Sequence, residues 1–176
     1  LGLMYHEGQG VPKSYFEAAK WYRLAAQQGN AYAQNNLAGM YNDGQGLTQS
    51  NTEAVKWYRL AAEQGNAPAQ FNLGVKFYKG LGVPINYAEA AIWYRRAAEQ
   101  GNAEAQYNLG FLYYAGEGVV KNYVIAYALW NFSSAKGHES AIYNRDILST
   151  QMSPAQINEA QSLSTSWAQE GKITLP

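Results

Sequence analysis

The sequence predicts an all-α protein, an α/α superhelical solenoid of helix-turn-helix repeats with a 36-residue period. Single residue types recur at that interval through the chain. Three columns show it: Gly29, Gly65, Gly101 and Gly137; Asn36, Asn72, Asn108 and Asn144; and Trp21, Trp57 and Trp93, each followed by tyrosine and arginine. Self-similarity at a period of roughly 20 to 50 residues indicates stacked units that bury their apolar faces against their neighbours.

The columns divide one solenoid domain, residues 1–176, into five repeats. A truncated repeat spans 1–28, full repeats span 29–64, 65–100 and 101–136, and a divergent capping repeat spans 137–176. Leu1-Gly2 occupy the columns of Leu73-Gly74, so the sequence begins in the middle of a repeat. This start predicts that the chain is a piece of a longer protein, and it makes the lack of a leader sequence uninformative.

The first helix of each repeat, helix A, is clearest in repeat 65–100, where it covers about 12 residues. Asn66 is the predicted N-cap, and Pro68 suits a first turn that needs no backbone donor. Ala69, Leu73 and Phe77 fall on one face, in which Lys76 is the single polar residue. Other repeats hold Met40 and Leu112 at that position. Gly74, like Gly110 and Ala38, leaves room for a neighbouring helix.

A Gly-x-Gly loop and a second helix, helix B, complete the repeat. The glycines of the loop, Gly80 and Gly82, allow a positive φ and a short reversal of the chain. A phosphate loop would need a preceding strand and a third glycine, which are absent here. Helix B is predicted over Tyr87–Gln100, with Trp93 filling the space between successive hairpins.

The last repeat departs from this pattern. Arg145 replaces the helix A leucine, and the Gly-x-Gly loop is missing. Ser153 and Gln156 have the spacing of a capping box, with Pro154 at the first helical position. The apolar stripe of the final helix is Ile157, Ala160, Leu163 and Trp167. A helix with a polar outer face at the end of an array is typical of a terminal cap.

The repeated pattern Gly-Asn-Ala-x-Ala-Gln-x-Asn-Leu-Gly, then Tyr-x-Glu-Ala-x-x-Trp-Tyr-Arg-x-Ala-Ala-Glu-Gln, closely resembles the Sel-one-like repeat of the tetratricopeptide-like superfamily. The match covers residues 1 to 150, and the Met152-Ser153-Pro154 tail resembles the terminal helix of bacterial members. The resemblance implies an α/α solenoid that serves as an adaptor. It also implies a bacterial source, and it favours export to the periplasm or beyond over a cytoplasmic location.

Composition limits the partners. Thirteen basic and thirteen acidic residues give no net charge, which argues against a nucleic-acid or anionic-membrane partner. No run of about 18 apolar residues predicts a membrane span. The chain has no cysteine, and we expect no cofactor and no metal.

The sequence does not predict an enzyme. Ser133-x-x-Lys136 matches a catalytic motif of penicillin-recognising enzymes, but here the serine closes a helix and the companion motifs are missing. His6 and His138 lie far apart, without a recurrent carboxylate partner. Arginine and glutamate columns on helices B predict a solvated outer face with local ion pairs: Arg23, Arg59 and Arg95, and Glu17, Glu53 and Glu89.

The predicted partner site lies on the helix A face that is turned away from the core stripe, which generally lines the concave side of such arrays. This face is polar at the start of the chain and aromatic toward its end. Its aromatic residues, here called the aromatic stripe, are Phe71, Tyr78, Tyr107, Phe111, Tyr114 and Tyr143. Exposed aromatic residues favour binding, whereas packing against the next helix A is the alternative.

Asparagines border the aromatic stripe. Asn72 and Asn108 are spaced so that their amides would bond an extended peptide backbone, and hydrogen bonds to loops or neighbouring helices are the alternative. We therefore predict a non-catalytic scaffold that binds a peptide or protein on its concave face. The alternative is a carbohydrate or envelope-polysaccharide binding module that uses the aromatic stripe.

Overall fold

The structure is a computed structural model that describes residues 1–175. These residues form α-helices joined by short loops, without strands, which confirms the all-α class. The helices are α1 (Gly2–Glu7), α2 (Tyr15–Gln27), α3 (Ala31–Asp43), α4 (Asn51–Glu63), α5 (Ala67–Lys79), α6 (Tyr87–Glu99), α7 (Ala103–Ala115), α8 (Tyr123–Ser134), α9 (Glu139–Ser149) and α10 (Pro154–Glu170). Odd-numbered helices are helices A, and α2, α4, α6 and α8 are helices B.

Short-range chemistry fixes the helix bounds. The predicted N-cap Asn66 accepts a hydrogen bond from the amide of Ala69, and Pro68 lies in the first turn of α5. Helix α6 ends at Glu99, one residue earlier than predicted, because Gln100 is its C-cap. Ser153 and Gln156 form the predicted capping box of α10.

The helices fall into two compact units, Leu1–Ile85 (unit 1) and the part of the chain from Asn86 onward (unit 2). Within each unit, helices that are consecutive in the chain pack on each other, with the exception of α9 and α10. Leu37 and Leu73 form the buried helix A seam of unit 1, and Leu109 has the same place in unit 2. The assignment of the whole chain to a single domain stays a prediction, and residue 176 lies outside the described residues.

The Gly-x-Gly loops have a role that the sequence did not reveal. Both glycines have positive φ, as predicted. In addition, the second glycine lies against the backbone at the start of the preceding helix B. A Cβ atom at Gly82 would lie 2.5 Å from the carbonyl carbon of Asn51, and one at Gly118 would lie 2.2 Å from that of Tyr87. The loop therefore needs glycine for close approach as well as for its turn.

The end of unit 2 is closed by α10, which packs across α8 rather than pairing with α9. Trp167 is buried there, with its ring edge-on to Phe132 at 6.2 Å. Asn131 also donates a hydrogen bond to Ser164 at 2.9 Å. Because α10 does not cover α9, Tyr143 and Ile147 of α9 are exposed.

Candidate partner-binding surface

On the helix A side of unit 1, the structure has an open cleft of about 410 Å³. Helices α1 to α5 all contribute residues to its walls. The cleft is lined by Leu3, His6, Glu7, Tyr22, Asn35, Asn36, Gly39, Met40, Asp43, Gln45, Tyr58 and Asn72. Of the predicted site residues, only Asn72 lines it, whereas Phe71 and Tyr78 lie half-buried elsewhere on α5.

Two tyrosines on consecutive helices B, Tyr22 of α2 and Tyr58 of α4, also line this cleft. Tyr22 is 7% exposed and Tyr58 is 5% exposed. The hydroxyl of Tyr22 is hydrogen bonded to the side chain of Asn36. The hydroxyl of Tyr58 has no such partner among the described residues, and it would lie 3.8 Å from a Cβ atom at Gly39.

Burial keeps both phenols protonated. It raises the pKa of Tyr58 to about 12, and the nearby Asp43 carboxylate adds to this shift. Burial also raises the pKa of Tyr22, although the hydrogen bond from Asn36 opposes the shift. The cleft therefore presents neutral hydroxyls across the physiological pH range.

The cleft also holds an acceptor without a donor. Asn35 donates through Nδ2 to Asn36 at a long 3.5 Å, and its Oδ1 atom is buried without a hydrogen-bond partner. Buried polar atoms are nearly always paired, so an orphan acceptor beside an open cleft indicates a place for a ligand or water donor.

In unit 2 the aromatic stripe is held in place by ring contacts within the unit. Tyr107 stacks on His138 with ring centres 4.5 Å apart, and Tyr114 stacks on Tyr123 at 5.6 Å. Phe111, Tyr107 and Tyr114 are half-buried, whereas Tyr143 is 68% exposed. Asn108, also half-buried, lies beside them on α7.

The asparagine columns serve the repeat at two places. Asn36 bonds the hydroxyl of Tyr22, and Asn144 donates to the hydroxyl of Tyr107 at 3.1 Å. These are hydrogen bonds to neighbouring helices, which the sequence left open as the alternative to peptide binding. Whether Asn72 and Asn108 contact a partner stays a prediction.

His138 has a carboxylate partner, Glu104, which does not recur in the other repeats. Its Nδ1 atom accepts from the amide of Ala141, which makes it the N-cap of α9. Its Nε2 atom lies 3.1 Å from Oε2 of Glu104. Since Nδ1 accepts, Nε2 carries the proton and donates to the carboxylate. Histidine therefore replaces the asparagine cap of earlier repeats and joins α7 to α9.

Two of the helix B arginines bond tyrosine hydroxyls, whereas local ion pairs were predicted for them. Arg23 donates to the hydroxyl of Tyr41 at 2.7 Å, and Arg95 donates to that of Tyr113 at 2.9 Å. Each bond joins a helix B to the helix A of the next repeat. Local ion pairs do form where the glutamate column meets lysine, between Glu17 and Lys20 and between Glu53 and Lys56.

The apparent catalytic motif has a structural role. Ser133 is buried and donates to the carbonyl of Ala103 at 2.9 Å, while Lys136 donates to the carbonyl of Gly101 at 2.7 Å. Across residues 1–175, no three histidine, cysteine, aspartate or glutamate side chains are grouped in a way that would hold a metal ion.

A buried glutamine column, Gln34, Gln70 and Gln106, was missed from the sequence. Each side chain donates to the carbonyl at the end of the preceding helix B, at 3.0–3.1 Å. Gln64 in turn donates to Oε1 of Gln34. At the position of Gln64 the last full repeat has Lys136, and Oε1 of Gln106 is left buried without a partner. The recurrence of glutamine every 36 residues was the available signal.

A known repeat family matches the chain in successive segments that follow the 36-residue period. The Sel1 repeat family matches residues 1–30, 31–66, 67–102 and 103–138. The chain belongs to this family. No curated protein matches the chain.

Two solved structures are similar. A Sel1 repeat protein from Oxalobacter formigenes shares 43% identity, with a TM-score of 0.76, and the match covers 80% of this chain and 58% of that one. The protein c5321, a protective antigen of uropathogenic Escherichia coli strains with the same repeat fold, shares 37% identity, with a TM-score of 0.84. That match covers 97% of this chain and 37% of the relative. The chain thus spans less than two thirds of either relative.

These similarities confirm the solenoid of Sel1 repeats, and both relatives come from bacteria, as the resemblance implied. The Sel1 repeat fold is commonly a scaffold for protein–protein interaction, and the family is generally non-enzymatic and generally binds proteins. Among the helices of the described chain, none has the length and apolar character needed to cross a membrane.

Proposed function

We propose that this Sel1 repeat protein is a non-catalytic adaptor that binds a peptide or protein partner on the helix A faces of its repeats. The observation that carries the proposal is the cleft of unit 1. Its lining includes a buried phenol and a buried amide oxygen, neither of which has a hydrogen-bond partner among the described residues. A partner that supplies donors would satisfy both groups.

The aromatic stripe of unit 2 supports the same face. Tyr107 and Tyr114 are fixed by stacking, so little side-chain entropy is lost when a partner contacts their remaining surface. Tyr143 adds a largely exposed ring on α9. Preorganised aromatic residues of this kind are common anchors of protein interfaces.

The carbohydrate alternative has less support. A sugar platform needs an open ring face, and stacking on His138 and Tyr123 leaves Tyr107 and Tyr114 at most one face each. The comparisons do not support this alternative either.

Site-specific photo-cross-linking tests the proposal with controls matched for exposure. A photoreactive phenylalanine would replace Tyr32 of α3 (75% exposed) or Tyr143 of α9 in the full-length chain, used as bait in a bacterial lysate. Controls replace the exposed Phe16 of α2 or Ile92 of α6, which lie on helices B. We expect the helix A positions to cross-link one protein, identified by mass spectrometry, that the helix B positions do not capture. Equal capture from both sets of positions, or capture from helices B alone, would reject the helix A face.

A further inference from the structure

The charge of the unit 1 cleft restricts what it can bind. Its lining contains two carboxylates, Glu7 and Asp43, and none of its lining residues is lysine or arginine. Opposite charges attract strongly where protein surrounds part of the site, and like charges are rejected. Lys76, which is not a lining residue, interacts with Asp43 and offsets part of its charge, and His6 lines the cleft beside Glu7. With two carboxylates in the lining, the cleft favours a cation over a carboxylate or phosphate.

Both carboxylates keep an oxygen atom available. Gln9 donates to Oε2 of Glu7, and Asn42 donates to Oδ1 of Asp43 at 2.6 Å. Among the described residues, Oε1 of Glu7 and Oδ2 of Asp43 have no donor. Each is an acceptor for a charged N–H group, and hydrogen bonds of this kind are about twice as strong as neutral ones.

Two further groups point to a donor-rich ligand independently of the charge. The hydroxyl of Tyr58 belongs to a side chain that is 95% buried, lines the cleft and has no hydrogen-bond partner in the described chain. The Oδ1 atom of Asn35, also at the cleft, is a buried acceptor without a donor. A ligand with several N–H groups would satisfy these atoms together with the carboxylates.

We infer that the cleft is a binding site for the cationic end of a lysine or arginine side chain supplied by the protein partner. This inference rests on the proposed function for the source of the cation. About 410 Å³ lies near the lower end of ligand-pocket volumes, which suits one long side chain and the peptide beside it. The apolar stem of such a side chain packs against Leu3 and Met40, which also line the cleft.

The first test uses defined small probes and the full chain. Nα-acetyl-L-arginine N-methylamide and its lysine counterpart are titrated while the side-chain amide signals of Asn35, Asn36 and Asn72 are followed by NMR. The control probe is the citrulline amide, which has nearly the same shape as the arginine probe but no charge. We expect saturable shifts with at least one cationic probe and at least tenfold weaker binding of citrulline. Equal shifts for charged and neutral probes, or no shift with any of them, would overturn the inference.

Variants locate the binding atoms. Glu7→Gln combined with Asp43→Asn should weaken binding of the cationic probe at least tenfold, because both residues are exposed and the change removes only charge. Tyr58→Phe should weaken it about threefold. Tyr41→Phe is the matched control: its hydroxyl bonds Arg23 outside the cleft, so binding should not change. Circular dichroism checks that each variant is folded, and unchanged binding in the folded double variant would contradict the assignment.

The two proposals fail in different ways. If the cleft does not bind the cationic probes while the photoreactive residues at positions 32 and 143 still cross-link a partner, the inference is rejected and the adaptor function stands. If the cleft binds the arginine probe but helix A positions capture no protein, a free small cation is the ligand, and a partner side chain is rejected as its source.

Discussion

At the same position of the repeat, unit 1 has Tyr22 and Tyr58, whereas the last full repeat in unit 2 has Trp130. The indole of Trp130 is buried, donates to the carbonyl of Tyr107 at 3.0 Å and lies so close to Gly110 that a Cβ atom there would be 2.7 Å from Nε1. In unit 1 the Tyr58 hydroxyl ends in an open cleft. Tyrosine or tryptophan at this helix B position thus decides the character of the adjoining helix A face. Trp130 fills the face in unit 2, whereas Tyr58 leaves an open polar cleft in unit 1.

The largest expected effect tests whether the buried leucine seam contributes equally to stability in the two units. Leu37→Ala in unit 1 and Leu109→Ala in unit 2 should each lower the free energy of unfolding by roughly 2–5 kcal/mol, because both leucines are fully buried and leave a cavity. Urea unfolding followed by circular dichroism measures both losses. A loss in one variant more than twice that in the other would show that the two seams are not equivalent.

A glycine pair tests how tightly the two helix B side chains fill their sites. Gly110→Ala should lower the free energy of unfolding by roughly 1–3 kcal/mol, because the new methyl group overlaps Trp130. Gly39→Ala should instead raise it by about 0.5–1 kcal/mol, since alanine favours a helix interior and the Tyr58 hydroxyl lies at an ordinary 3.8 Å. Thermal unfolding of both variants gives the signs. If both changes stabilise, Trp130 has room to move and the contrast between the units is weaker than described.

Lys76 is a second difference between the units, because Leu112 occupies its place in unit 2. Lys76 is 4% exposed, and its ammonium group bonds the side chains of Asn42 and Asn51. Lys76→Met should stabilise the chain by roughly 1–2 kcal/mol, since a buried charge is often replaced by an apolar side chain at a gain. Lys79→Met, an exposed lysine on the same helix, is the control and should change little.

The same variant has a defined pH dependence. Burial lowers the pKa of Lys76, although Asp43 opposes part of the shift. Between that lowered pKa and the ordinary value of 10.5, the unfolded chain binds more protons at this site than the folded chain, so the burial penalty fades as pH rises. The gain in melting temperature from Lys76→Met should therefore be larger at pH 7 than at pH 10. A gain that is constant across this range would show that the charge is not the cause.

The smallest expected effect concerns the glutamine column. Lys136→Gln should place in unit 2 the donor that Gln64 provides in unit 1, and so pair the orphan Oε1 of Gln106. We expect a gain of about 0.5–1 kcal/mol, because pairing a buried acceptor outweighs an exposed lysine bond. Gln64→Lys is the reciprocal change and should lose a similar amount in urea unfolding. A loss of stability in Lys136→Gln, or a gain in Gln64→Lys, would reject the glutamine pair as a stabilising element.

Part of the candidate site was predictable from the sequence and part was not. The 36-residue period identified the helix A face, and Asn72 does line the cleft of unit 1. The cleft itself was missed, because Glu7 belongs to a different repeat from Asp43 and Tyr58, and the three residues form no local motif. The contact between His138 and Glu104 was also missed, because the two residues lie 34 positions apart in the sequence.

The sequence by itself determined the helices, their caps, the leucine seam and the closing helix. The helix caps depend on residues a few positions apart, such as Asn66 with Ala69 or Ser153 with Gln156. The seam depends on the 36-residue period, because the same contacts between neighbouring hairpins recur in each repeat. Only the tertiary structure decided which polar groups remain unpaired. The hydroxyl of Tyr22 has a hydrogen-bond partner and that of Tyr58 has none among the described residues, although both residues occupy the same position of the repeat. The difference depends on ångström-scale distances between side chains, which a repeated sequence pattern does not specify.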